Sequence, residues 1–242
     1  MKKIAILILL FITSYTVAQK GDIIFGFQFK PIVPNKFVGE YEKRYDSLPS
    51  FFASTKQTVG YSFGMVFRKY FTDKVALETG INFTKRNFNL SFEVKDSNFL
   101  ANNTVEFINY QIPIKGLFFI QLSDEIFMNA SLGIHADFFP SYVGTSNVIN
   151  INNEFLFVGA RIFWAQVGAN ANFGFDFRTR KKGTFYLGTT YNHPFRDIMR
   201  FNMAWRYGAS TTIIQKPIRG NYLTIDLRYY FPVNKKDKIN PN

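Results

Sequence analysis

The chain has 242 residues, 19% of them aromatic (30 Phe and 13 Tyr), no cysteine, and a formal charge of +12. The lack of cysteine excludes disulfides and thiolate metal sites. An aromatic content this far above globular usage excludes a disordered chain, and the basic balance points to an anionic partner, either nucleic acid or a lipid surface.

The N-terminus, MKKIAILILLFITSYTVAQ, chooses between those partners. Lys2 and Lys3 form a positive leader, residues 4–12 an apolar run, and Thr16-Val17-Ala18 a small-residue cleavage site. Residues 1–18 are therefore expected to be a cleaved signal peptide. The apolar run is too short to span a bilayer as a helix, and no later stretch resembles a membrane helix. Export argues against a nucleic-acid partner. No cysteine follows the leader, so a lipoprotein anchor is excluded.

From there on, period-two alternation recurs, which is the strand signal. The first run is residues 23–30. The second, 59–71, sets Tyr61, Phe63, Met65 and Phe67 against Gly60, Ser62, Gly64 and Arg68. The third, 75–85, sets Leu77, Ile81 and Phe83 against Glu78, Gly80 and Asn82. The fourth, 107–121, sets Ile108, Tyr110, Ile112, Ile114 and Phe118 against Asn109, Gln111 and Lys115. The fifth, 126–138, sets Met128, Leu132 and Ile134 against Asn129, Ser131, His135 and Asp137. The sixth, 157–177, sets Phe163, Val167, Phe173 and Phe175 against Gln166, Asn170, Asn172 and Asp176. The seventh is 184–193. The eighth, 221–231, sets Leu223, Ile225, Leu227, Tyr229 and Phe231 against Tyr222, Thr224, Asp226, Arg228 and Tyr230.

Short connections near 72–74, 122–125 and 179–183 alternate with long ones near 32–56, 86–106, 140–156 and 194–220. Long structureless loops are uncommon in compact soluble domains. An even strand number with short turns at one end and long loops at the other is the build of outer-membrane barrels. A soluble barrel with its apolar face inward would also alternate, so the polar face decides. It is mostly Gly, Asn, Ser and Gln with a few charges, which suits the narrow interior of an eight-stranded barrel. The large aromatics then face lipid, and closure is obligatory because hydrocarbon offers an open edge no partner. The expected fold is all-β, an eight-stranded antiparallel up-and-down transmembrane barrel over 19–231, with short periplasmic turns, long extracellular loops and a short basic tail at 232–242.

Candidate sites follow from the faces. Arg68, Glu78, Lys115, His135, Asp137, Asp176, Asp226 and Arg228 all point inward and are expected to form a lumen charge network. Lys115 is expected to pair with Glu78, Asp137 or Asp226, so Lys115→Met should strand a carboxylate at about 3–5 kcal/mol. Ser131, His135 and Asp137 invite a hydrolase reading, but Ser131 and His135 lie about 13 Å apart along one strand. His193 is expected to be solvated. Pro113 is read as a bulge. The inward glycines are expected to make room for larger side chains across the lumen. Lys69, Lys74, Arg178, Arg180, Lys181, Lys182, Lys235, Lys236 and Lys238 form a solvated basic rim at the short-turn end. The loop after the seventh strand mixes Arg196, Arg200, Arg206, Lys216 and Arg219 with Phe195, Phe201, Trp205 and Tyr207, a candidate interaction surface for lipopolysaccharide phosphates or a protein.

Three segments carry a family resemblance. INYQIPIKGLFF, residues 108–119, resembles the E-I-P-L-L-L-K strand of the small PorT-like outer-membrane barrels of Bacteroidota, with Gln111 where Glu is frequent and Pro113 and Lys115 in place. ASLGIHADFF, residues 130–139, resembles the glycine-bearing strand that follows it, and LRYYF resembles the family's ending. The resemblance implies an eight-stranded barrel in the outer membrane, in a family one branch of which serves type IX secretion and gliding.

The functional expectation is a non-enzymatic barrel acting as a structural or interaction component, in contact with outer-membrane lipid, lipopolysaccharide and other outer-membrane or periplasmic proteins, with no cofactor. The alternatives are a narrow passive pore and a lipid-modifying enzyme.

Overall fold

The computed structural model describes residues 23–34, 42–48, 51–95, 99–150, 153–179 and 181–232. The expected signal peptide and all of the tail except Pro232 lie outside these residues. The described chain forms fourteen strands: β1 (Ile23–Val33), β2 (Glu42–Leu48), β3 (Phe51–Gln57), β4 (Gly60–Tyr70), β5 (Val75–Val94), β6 (Phe99–Gln121), β7 (Ile126–Phe138), β8 (Val143–Asn150), β9 (Asn153–Arg161), β10 (Ala165–Thr179), β11 (Gly183–Pro194), β12 (Met199–Tyr207), β13 (Ser210–Ile218) and β14 (Tyr222–Tyr230).

Eight of them close a ring in the order β1-β4-β5-β6-β7-β10-β11-β14, every neighbour antiparallel. The last strand returns to the first through Phe27↔Tyr229 and Val33↔Leu223. This is the eight-stranded up-and-down barrel that the alternation predicts. Its odd and even residues part cleanly. Phe27, Phe63, Ile114, Leu132 and Ile225 stand exposed on the outer wall, while Gln28, Asn82, Lys115, Ser131 and Asp226 are buried inside.

The structure departs from the sequence reading above the barrel. The long connections are not open loops. β5 and β6 run on past the barrel as one long hairpin, paired from Val75↔Phe118 to Val94↔Phe99. The connection between β1 and β4 folds into the hairpin β2–β3, and β3 pairs along the β5 extension from Phe51↔Val94 to Gln57↔Phe88. The connections at 140–156 and 194–220 contribute the hairpins β8–β9 and β12–β13, a separate sheet in the order β13-β12-β9-β8. The expected sixth strand, 157–177, is therefore two elements. It breaks at 162–164, and its first part, β9, belongs to the upper sheet.

The two upper sheets pack face to face. Phe88, Leu90, Phe92, Val105 and Phe107 from one meet Phe155, Phe157, Met199, Phe201, Met203 and Ile214 from the other. A β-sandwich thus stands on the barrel at the end opposite the short turns.

β5 shows how one strand serves both regions. Its even-numbered residues stay inside throughout: Glu78, Asn82 and Thr84 in the barrel, then Arg86, then Phe88, Leu90 and Phe92 in the sandwich. Its odd-numbered residues stay outside: Leu77, Ile81 and Phe83, then Lys85, Asn87, Asn89 and Glu93. The period of two never changes, but at Lys85 and Arg86 the chemistry of the two faces is exchanged. β6 makes the same exchange between Phe107 and Asn109.

Pro113 does not make a bulge. The β5–β6 register is the same before and after it, at Thr79↔Ile114 and Asn82↔Gln111, with no residue inserted. The proline occupies a gap in that ladder, where its missing N–H is tolerated. Thr79 Oγ1 donates to the Pro113 carbonyl at 2.8 Å.

Candidate functional site

The lower lumen is organised around Glu78 of β5. Arg68 of β4 reaches Glu78 Oε2 through Nε and Nη2, both at 3.0 Å. Lys115 of β6 places its Nζ 3.0 Å from Oε1, and Arg228 of β14 donates to the same oxygen at 2.6 Å. The Tyr230 hydroxyl donates to Oε2 at 2.6 Å and accepts from Arg68 at 2.7 Å. Arg68 also crosses the lumen to Asp176 Oδ2 of β10 at 2.6 Å. Asp226 takes Arg228 as well, and accepts from the hydroxyls of Thr190 and Thr224, both at 2.6 Å. Within this cluster the buried cations Lys30, Arg68, Lys115 and Arg228 outnumber the carboxylates Glu78, Asp176 and Asp226.

Two of its members were outside the sequence-derived network. Lys30 lies 3.8 Å from Asp226. Its signal was parity, since it shares a face with Gln28. Arg178 was assigned to the solvated rim. Instead it turns inward, 3.5 Å from Asp176, with its guanidinium 3.8 Å over Phe127 and 4.7 Å over Phe119. Lys69, Lys74, Lys181 and Lys182 stay near the short turns, while Arg180 and the tail lysines fall outside the described residues.

A second tier sits higher. His135 Nε2 is 3.2 Å from Asp137 Oδ2, and Asn109 donates to Asp137 Oδ1 at 3.0 Å. The other His135 nitrogen faces Asn170 at 3.4 Å. Ser131 lies against Asn172 Oδ1 at 3.5 Å rather than against the histidine. His193 is half-buried rather than solvated, its Nδ1 3.3 Å from the Tyr191 hydroxyl and its ring beside Phe195.

At the top of the lumen lies Arg86, which sequence reasoning had left in a loop. It is buried, donates to the Gly220 carbonyl at 2.5 Å, and lies over the rings of Tyr222 at 4.5 Å and Phe107 at 5.1 Å. It sits where the polar lumen meets the apolar sandwich core.

The glycine expectation needs a correction of geometry. Gly174 and Gly188 face each other on β10 and β11, and a Cβ on either would overlap the Tyr186 hydroxyl. At these two positions the space therefore serves Tyr186, on the adjoining strand for Gly174 and on the same strand for Gly188, not a side chain across the lumen. With that room, Tyr186 donates to Asn172 at 2.8 Å.

The residues of the candidate interaction loop do not share one loop. Arg196 lies just past β11, at the barrel's upper edge. Arg200, Trp205, Arg206 and Tyr207 belong to β12, and Arg219 follows β13. Phe201 is buried in the sandwich core. Trp205 packs against that core, stacked on Phe155 at 6.2 Å, and Arg206 pairs with Glu154 at 3.0 Å. Hairpin formation divides the run: even-numbered residues of β12 face outward, while Phe201 and Met203 face in.

No family model and no curated protein matches the chain. Among solved structures it is similar to the crystal structure of the outer membrane protein OprG from Pseudomonas aeruginosa, at 13% identity and a TM-score of 0.50, over 88% of this chain and 97% of that one. The likeness is one of fold.

Proposed function

We propose that this chain is an integral outer-membrane protein whose barrel anchors rather than conducts, and whose sandwich is displayed outside the cell as an interaction module. The outer wall supports the membrane placement. Exposed Phe, Ile, Leu and Tyr stand on all eight barrel strands, a continuous apolar surface of a kind that soluble monomers rarely carry. Ring closure satisfies every strand edge of the barrel, as hydrocarbon requires. The first barrel strand begins and the last one ends at the short-turn end, which supports a periplasmic short-turn end and an extracellular sandwich.

The observation that carries the non-conducting reading is the Glu78 cluster. Side chains from β4, β5, β6, β10 and β14 meet across a lumen that eight strands leave barely wide enough for side chains. Above it, Arg86 and the sandwich core lie over the same opening. The protein on this reading has no chemistry of its own. The PorT-like resemblance of residues 108–119 extends the reading to an accessory of a larger outer-membrane assembly, and it rests on that motif.

Planar-bilayer recording of the refolded barrel tests the proposal. Silent membranes are expected. Steady unitary currents would favour the narrow passive pore instead.

A further inference from the structure

Where the barrel meets the sandwich, the ends of β10 and β11 frame a groove of about 360 Å³, lined by Phe163, Ala165, Gln166, Val167, Phe195 and Arg196. It opens on the outer wall. Phe163, Val167 and Phe195 are each about half exposed there, and Trp164 beside them is more so. These residues stand at the upper end of the apolar band. That is where a membrane barrel carries its aromatic girdle and where lipid headgroups begin.

Two features of the groove are unexplained by packing. Arg196 is exposed, the lone ionisable side chain among the lining residues, and its guanidinium sits 5.6 Å over the Phe163 ring. Gln166 is buried to 6% exposure; its Nε2 donates to the carbonyls of Asp197 and Ile198 at 3.1 and 3.3 Å, but its Oε1 has no partner. A buried acceptor left unpaired is costly. The groove therefore offers an apolar wall and an exposed cation, and Gln166, whose orphan acceptor is buried, is part of its lining.

We infer that this groove is a binding site for a phosphorylated glycolipid of the outer leaflet. The inference rests on the membrane placement proposed above. An acyl chain lies along Phe163, Val167 and Phe195. The phosphate meets Arg196, whose planar guanidinium suits a phosphate better than a lysine would. The geometry also narrows the sequence reading, in which the whole basic–aromatic run was a candidate. Arg206 is paired with Glu154 in the sandwich sheet, so Arg196 is the cation the groove presents to the membrane surface.

The test uses the full barrel in nanodiscs and, separately, in detergent micelles, with lipid A as the probe and native mass spectrometry as the readout. Wild type should retain bisphosphorylated lipid A. Arg196→Gln should lower retention about tenfold, the loss of one charge-assisted contact. Dephosphorylated lipid A should bind wild type as weakly as the phosphorylated lipid binds the variant. Arg206→Gln should change nothing. Equal retention by wild type and Arg196→Gln would overturn the site, and so would full displacement by inorganic phosphate, which would mark a simple anion site. Because Arg196 is exposed, folding is expected to survive, and heat-modifiable gel migration checks it. A protein that binds lipid A in micelles but does not insert into bilayers would break the membrane placement alone. One that inserts yet retains no lipid A would break the groove alone.

Discussion

In the barrel, Arg68, Glu78, Asp176 and Asp226 are wholly enclosed while Leu132 stands 73% exposed. In the sandwich, Phe92, Phe155 and Phe201 are wholly enclosed while Asn89, Glu93 and Arg206 line the outside. The same two strands, β5 and β6, run through both regions without changing their period. Strand geometry therefore sets which residues share a face, and the surroundings set which face is apolar. On the membrane placement proposed above, the barrel's outer wall meets hydrocarbon, so polar groups are gathered inside and must satisfy one another. Where the sandwich meets water, apolar burial holds the sheets together.

The two regions should therefore fail by different routes. Trp205 packs on the sandwich core and Trp164 lies at the barrel shoulder, so a Trp164→Phe background leaves Trp205 as a fluorescence reporter of the sandwich. Heat-modifiable migration reports the barrel. The largest effect is expected from Glu78→Gln. It keeps the side-chain shape but leaves Arg68, Lys115 and Arg228 without their shared carboxylate, and breaking a buried pair costs roughly 3–5 kcal/mol. The barrel should unfold at markedly lower urea while the Trp205 signal lags behind. If both signals shift together, the regions form one cooperative unit and the comparison fails.

Phe201→Ala tests the other half. Phe201 is fully buried between the sandwich sheets, and truncating such a side chain costs about 3 kcal/mol. The Trp205 transition should move while heat-modifiable migration stays as in wild type. Loss of the folded gel band in this variant would show that the barrel depends on its cap.

The smallest effect, about 1 kcal/mol, is expected from Lys115→Met. A single partner pairing would have predicted several times more. Glu78 keeps Arg68 and Arg228 when Lys115 is removed, and the cluster's fully buried cations outnumber its carboxylates by one even without Arg178. In the Glu78→Gln background, Lys115→Met should instead restore stability, because one unpaired cation is gone. Additive losses in the double variant would mean that the two side chains are not coupled.

Much of the barrel was legible because each strand states its own faces. The run from Leu223 to Phe231 declares its outer and inner residues by parity alone, and closure follows because no edge survives in hydrocarbon. Parity likewise placed Arg68, Glu78, Lys115, Asp137, Asp176, Asp226 and Arg228 inside. The sandwich was not legible as part of the same pattern. At Lys85 and Arg86 the alternation of β5 continues while its polarity inverts, and a reader following polarity stops there. Pairing was beyond the sequence for a different reason. Arg68 meets Asp176 across 108 residues of chain, and that meeting depends on how far each strand is staggered against its neighbour around the ring. Local alternation holds no information about stagger. Only closure of the barrel decides it, and with it which cation reaches which carboxylate.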